Sequence, residues 1–134
     1  MVNDRVAIGS YQAPYDPFDV VVNLSYPENG VEQGEIRHGM ENTSYVIRCG
    51  FDDNDGLTSE KMEKVMKIIS SIEKDTSVLL FHCYAGVSRS STFAILYLAQ
   101  RYGKTIKEAY DLVKRSRPRI NPNPHFRKLI GLDA

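Results

Sequence analysis

One stretch near the middle of the chain constrains its fold more than any other. Across residues 78–90 an apolar run passes through a cysteine and a glycine into an arginine, and an apolar segment follows. Val78, Leu79, Leu80 and Phe81, bounded upstream by Lys74, Asp75 and Thr76, read as a short buried strand. From Ser91 to Ala99 the chain is apolar almost all round, which predicts a central helix. Residues 83–89 therefore join a strand end to a helix start. Gly86 lets that turn visit positive φ, so that successive backbone N–H groups converge as a nest. The open N–H groups and the dipole of the following helix aim at the same point. A dianion such as phosphate fits there.

The residue types in the turn add chemistry to that cradle. The converging donors, with Arg89 nearby, favour Cys83 as a thiolate nucleophile. Arg89 offers a planar fork that grips two phosphate oxygens at once. Tyr84, Ala85, Gly86, Val87 and Ser88 supply the backbone between them. Nucleophile, clamp and cradle together describe covalent phosphoryl transfer with no metal and no other cofactor. Three other readings fail on spacing. A Walker A loop ends in Gly-Lys-Ser/Thr, whereas Gly86 leads to Val87-Ser88-Arg89. A cysteine protease needs a histidine base, but His82 neighbours Cys83 at a strand end, where adjacent side chains point to opposite faces. A zinc site lacks ligands, since the other cysteine is Cys49 alone.

The string His82-Cys83-x5-Arg89-Ser90 resembles the signature of the cysteine-dependent protein tyrosine phosphatases. The longer Ala85-Gly86-Val87-Ser88-Arg89-Ser90-Ser91-Thr92 is similar to their dual-specificity branch. A second match is Arg117-Pro118-x-Ile120-x-Pro122-Asn123-x-x-Phe126, which looks like the C-terminal motif of that family. The resemblance implies that Cys83 is the nucleophile, that Arg89 binds phosphate, that Ser90 helps the thiolate leave, and that His82 orients the loop. It also implies a general acid on a loop upstream of the cysteine. Phe51-Asp52-Asp53-Asn54-Asp55-Gly56 is the candidate loop, with Asp52 favoured and Asp53 the alternative. Asp55 reads as a solvated residue near a helix N-terminus.

Along the rest of the chain, Arg5–Ser10, Phe18–Ser25 and Thr43–Cys49 read as strands. Tyr11–Pro17 is too short and too proline-interrupted for a helix. Residues 26–42, with Pro27, Gly30, Gly34 and Gly39, read as loop. A helix is predicted over Ser59–Glu73, capped by Thr58, with Met62, Val65, Met66, Ile69 and Ile72 on one face. Thr105-x-x-Glu108 opens another helix as a capping box, and Pro118 stops it. Asn123-Pro124 starts a last short helix that buries Phe126, Leu129 and Ile130, with Asn123 as its cap. The alternation predicts an α/β fold: a mixed, mostly parallel sheet of four to five strands with helices on both faces.

Size and charge narrow the partners. At 134 residues the chain forms one compact domain spanning 1–134. Its 17 basic and 17 acidic residues balance, which gives no footprint for nucleic acid or a membrane surface. No apolar run reaches the length of a membrane span. A reactive thiol suits a reducing compartment, so a cytoplasmic or nucleocytoplasmic monomer acting on phosphoproteins is expected. Cys49 reads as a small hydrophobe in a strand, with a redox disulfide to Cys83 as the alternative. The basic segment of Arg115, Arg117, Arg119, Arg127 and Lys128 reads as a solvated face, with a platform for phosphate-rich substrates as the alternative. The expected reaction is hydrolysis of phosphotyrosine and phosphoserine/threonine esters through a phosphocysteine. RNA 5′-phosphatase and phosphoinositide phosphatase are the alternatives within the enzyme class. A phosphoprotein-binding pseudophosphatase is the alternative outside it.

Overall fold

The computed structural model describes residues 2–14, 18–24, 35–38, 45–48, 57–74 and 77–132. Strand β1 is Val6–Gly9, β2 Val20–Asn23, β3 Glu35–His38 and β4 Tyr45–Arg48. Helix α1 spans Ser59–Ile72, strand β5 Leu79–His82, α2 Arg89–Tyr102, α3 Ile106–Ser116 and α4 Pro124–Ile130. The five strands form one sheet in the order β1-β5-β2-β4-β3. Strands β1, β5, β2 and β4 run parallel, and β3 joins the edge antiparallel to β4.

The apolar run read as a buried strand occupies the interior of the sheet. Leu79 to His82 pair with Val6 to Gly9 on one side and with Val20 to Asn23 on the other. Leu79 and Phe81 point to one face and Leu80 to the other, and all three are buried, as a strand covered on both sides requires. Burial of each such side chain contributes about 1.5–3 kcal/mol. Arg5 secures the entry to this strand. Its Nε donates to the Ser77 carbonyl and its Nη2 to the Lys74 carbonyl, each at 3.0 Å.

The helices begin and end where their capping chemistry lies. Thr58 Oγ1 accepts from the Lys61 N–H at the start of α1. Both arms of the Thr105–Glu108 capping box form at α3, and Gly103, at φ 65°, closes α2. The central helix starts at Arg89, two residues before the apolar pattern begins. Its first turn is polar in sequence, yet Ser90, Ser91 and Thr92 are buried. Tyr97 of α2 donates its hydroxyl to Glu73, which ties the end of α1 to the middle of α2.

Two sequence expectations need correction. Residues 26–42 contain strand β3 where loop alone was expected. An edge strand needs one neighbour's backbone and no continuous apolar pattern, and β3 finds that neighbour in β4 alone. Among the described residues the layering also differs. The buried residues of all four helices gather with Val6, Val20, Val22, Ile47, Leu79 and Phe81 on one face of the sheet. On the other face, Ala7, Val21 and Leu80 are covered by Phe18, with Ala13, Val46 and Val78 at its margin, and no helix among the described residues joins them. The short connection after β1 leaves little chain to form a helix there.

Candidate active site

Cys83 is the first residue beyond the C-terminal end of β5, the edge at which parallel sheets place their sites. The flanking strands hold this end on both sides. The Cys83 N–H donates to the Gly9 carbonyl at 3.4 Å, and the Leu24 N–H donates to the His82 carbonyl at 2.8 Å. Cys83 and His82 are each 2 % exposed. Burial lowers the His82 pKa from 6.5 to about 4, against an opposing backbone hydrogen bond with Cys83, so the imidazole is neutral at neutral pH.

The turn from Cys83 to Arg89 is organised through its carbonyls. Tyr84 O accepts from the Tyr11 N–H at 3.1 Å. Ala85 O accepts from Arg117 Nη2 at 3.1 Å, and Gly86 O from Arg117 Nε at 2.8 Å. Val87 O accepts from the Asn121 N–H and from Ser91 Oγ, each at 2.8 Å. Ser88 O accepts from the Thr92 N–H and hydroxyl. Every carbonyl from Tyr84 to Ser88 is thus engaged by surrounding structure. All described peptides are trans, so each N–H points opposite the carbonyl of its own peptide plane. The N–H groups of Ala85, Gly86, Val87 and Ser88 are therefore turned away from Tyr11 and the 117–121 segment, free to converge on an anion.

Gly86 makes this turn possible. Its φ is +69°, and a Cβ there would lie 2.7 Å from Arg117 Nη2 and 2.8 Å from the Gly9 carbonyl carbon and oxygen. Positive φ and close backbone approach both demand glycine. Ser88 precedes α2 without capping it, and its hydroxyl instead accepts from the Asn123 N–H at 2.9 Å. No side-chain cap from Ser88 therefore offsets the dipole at the start of α2. Arg89 is the first residue of that helix. Ser90 is fully buried with its Oγ 3.3 Å from Cys83 Sγ.

The structure therefore brings together Cys83, Ser90 and the loop of Tyr84, Ala85, Gly86, Val87, Ser88 and Arg89, with His82 behind them. Asn123 has two roles: Oδ1 caps α4 at the Phe126 N–H while its own N–H holds Ser88. Asp52, Asp53, Asp55 and Cys49 lie outside the described residues. Three contributors were not legible as such in the sequence. Arg117 opens the C-terminal motif, but neither that motif nor the basic residues around it show that it clasps the loop. Tyr11 meets Tyr84 in a stacked pair with ring centroids 4.7 Å apart, across a separation that no local pattern encodes. His125 Nε2 lies 2.6 Å from the Leu57 carbonyl and donates to it, joining α4 to the start of α1.

The profile "Dual specificity phosphatase, catalytic domain" matches residues 10–132. The chain belongs to this family of protein phosphatase domains. It is 46% identical over 77 residues to MAP kinase phosphatase with leucine-rich repeats protein 3 of Dictyostelium discoideum, covering 57% of this chain and 9% of that protein. It is 45% identical over 98 residues to tyrosine-protein phosphatase YVH1 of Saccharomyces cerevisiae, covering 72% of this chain and 25% of the relative. The chain thus spans a quarter or less of these relatives. The crystal structure of human DUSP28 superposes with a TM-score of 0.79 at 20% identity, covering 98% of this chain and 92% of that one, which establishes the shared fold.

Proposed function

We propose that the domain hydrolyses phosphate monoesters on phosphotyrosine and phosphoserine/threonine proteins through a phosphocysteine intermediate, without a metal. The observation that carries this reading is the unbroken series of engaged carbonyls from Tyr84 to Ser88 beside a Cys83–Ser90 pair. A turn with its carbonyls tied outward presents N–H groups alone, and with the Arg89 guanidinium it complements three equatorial phosphoryl oxygens.

In the first step the Cys83 thiolate attacks phosphorus in line. The S–P bond forms as the P–O bond to the alcohol breaks, and Asp52 gives its proton to the leaving oxygen. In the second step the Asp52 carboxylate takes a proton from water, which attacks phosphorus. The S–P bond breaks with its electron pair returning to sulfur, and the Ser90 hydroxyl donates to that thiolate. Orthophosphate leaves.

The test is hydrolysis of an aryl phosphate in excess chelator, comparing the wild type with Cys83→Ser. Turnover is expected in the first and none in the second. Activity surviving in Cys83→Ser would remove Cys83 from the reaction, and activity lost on chelation would remove the metal-free mechanism.

A further inference from the structure

We infer that Arg117 is a positioning residue that sets the polarity of the phosphate loop, acting through two peptide planes rather than on the phosphate itself. Its fork is spent on the loop: Nε on the Gly86 carbonyl at 2.8 Å and Nη2 on the Ala85 carbonyl at 3.1 Å. Those carbonyls belong to the peptides that carry the Gly86 and Val87 N–H groups. Holding the oxygens outward fixes both hydrogens on the opposite side.

Two physical effects follow from using a guanidinium for this. The first is orientation. Gly86 has the widest backbone freedom of any residue in the turn, and a peptide beside glycine flips at little steric cost. A flip would aim a carbonyl at the anion in place of an N–H, turning attraction into repulsion. Two donors from one planar group hold both adjacent peptides at once, which a single-headed donor does not. The second effect is polarisation. A cation hydrogen-bonded to a carbonyl strengthens the N–H of the same peptide as a donor, because charge-assisted bonds in a chain reinforce each other.

The surroundings show why this residue has the task. Arg117 is the C-terminal cap of α3, and the chain returns from it along the loop so that the Asn121 N–H takes Val87 O and the Asn123 N–H takes Ser88 Oγ. Across the loop, the Gly9 carbonyl closes on Gly86 from β1. Gly86 is therefore gripped between a strand end and the arginine.

This inference rests on the phosphate-binding reading of the loop but does not need turnover. The experiment measures protection of Cys83 from iodoacetamide by graded orthophosphate, read by mass spectrometry, in the wild type, Arg117→Lys and Arg117→Gln. Loss of two charge-assisted hydrogen bonds predicts that orthophosphate protects Arg117→Gln at a midpoint roughly tenfold or more higher than the wild type. Arg117→Lys, which keeps the charge but not the fork, is expected to fall between them. The melting temperature of each variant is measured alongside. An unchanged midpoint in either folded variant, with only the melting temperature lowered, would overturn the inference and leave Arg117 a structural tether. Failure of orthophosphate to protect the wild type would also overturn it. Failure of the wild type to hydrolyse aryl phosphates, with the midpoints shifted as expected, would defeat the proposed reaction and leave the role of Arg117 standing.

Discussion

Ser88, Ser90, Ser91 and Thr92 are all buried, and their hydroxyls divide the work of the loop. Ser91 and Thr92 return theirs to the carbonyls of Val87 and Ser88, which fastens the start of α2. Ser90 alone among them reaches sulfur. Ser90→Ala is accordingly expected to leave stability close to the wild type while phosphoenzyme accumulates, because thiolate departure loses its donor. Rapid-quench kinetics should show a burst followed by a steady state slowed by roughly tenfold or more. Ser91→Ala should do the reverse, lowering unfolding free energy by about 1 kcal/mol with little change in the burst. At Gly86 an alanine would meet both a guanidinium that can shift and a Gly9 carbonyl that cannot without moving β1. The need for glycine at a positive-φ turn is visible in the residue order. The second need, contact with a strand seventy-seven positions upstream, is a property of the fold.

The helices were legible because their signals are local. Thr58, Thr105 and Asn123 each place a side-chain oxygen on an N–H three residues ahead, and a sequence displays that spacing directly. The start of α2 was read late because serines at buried positions resemble loop until the carbonyls they serve are known. Strand β3 was missed for the opposite reason, since its identity rests on the β4 backbone and not on its own residues. The absence of helices behind the sheet, among the described residues, follows from the length of the β1–β2 connection, which the sequence displays but does not weigh against the pattern of the rest. The two caps on α3 and α4 give a test at this scale. Thr105→Ala should lower stability by about 1 kcal/mol and leave kcat/KM unchanged, because that cap lies on α3 and touches nothing in the loop. Asn123→Ala should cost a similar amount and also reduce kcat/KM, since loss of the Oδ1 cap loosens the backbone whose N–H holds Ser88 Oγ. Chemical denaturation and steady-state kinetics on both variants separate the two. Equal kinetics would show that α4 supports the fold without steering the site.

Over the whole molecule, His82 links stability to pH. Its folded pKa, about 4, lies below the unfolded value of 6.5, so between these values the unfolded chain binds the proton that the native state refuses. Stability from this group is complete above pH 6.5 and is lost as pH falls toward 4, by on the order of 3 kcal/mol at about 1.4 kcal/mol per unit. Urea midpoints measured from pH 7 to pH 4.5 should decline, and His82→Asn should flatten that decline. An identical slope in both would assign the loss to other groups. The strand that carries His82 also has a consequence for how the chain comes together. β5 is the last strand in sequence and lies between β1 and β2, which pair with it and not with each other. Among the described residues β1 pairs with β5 alone. The pairings of β5 with β1 and β2 join the strands farthest apart in sequence within the parallel part of the sheet, the kind of contact that is slow to form. Because Cys83 follows directly on β5, a chain in which that strand is not seated between β1 and β2 has no cradle around the cysteine.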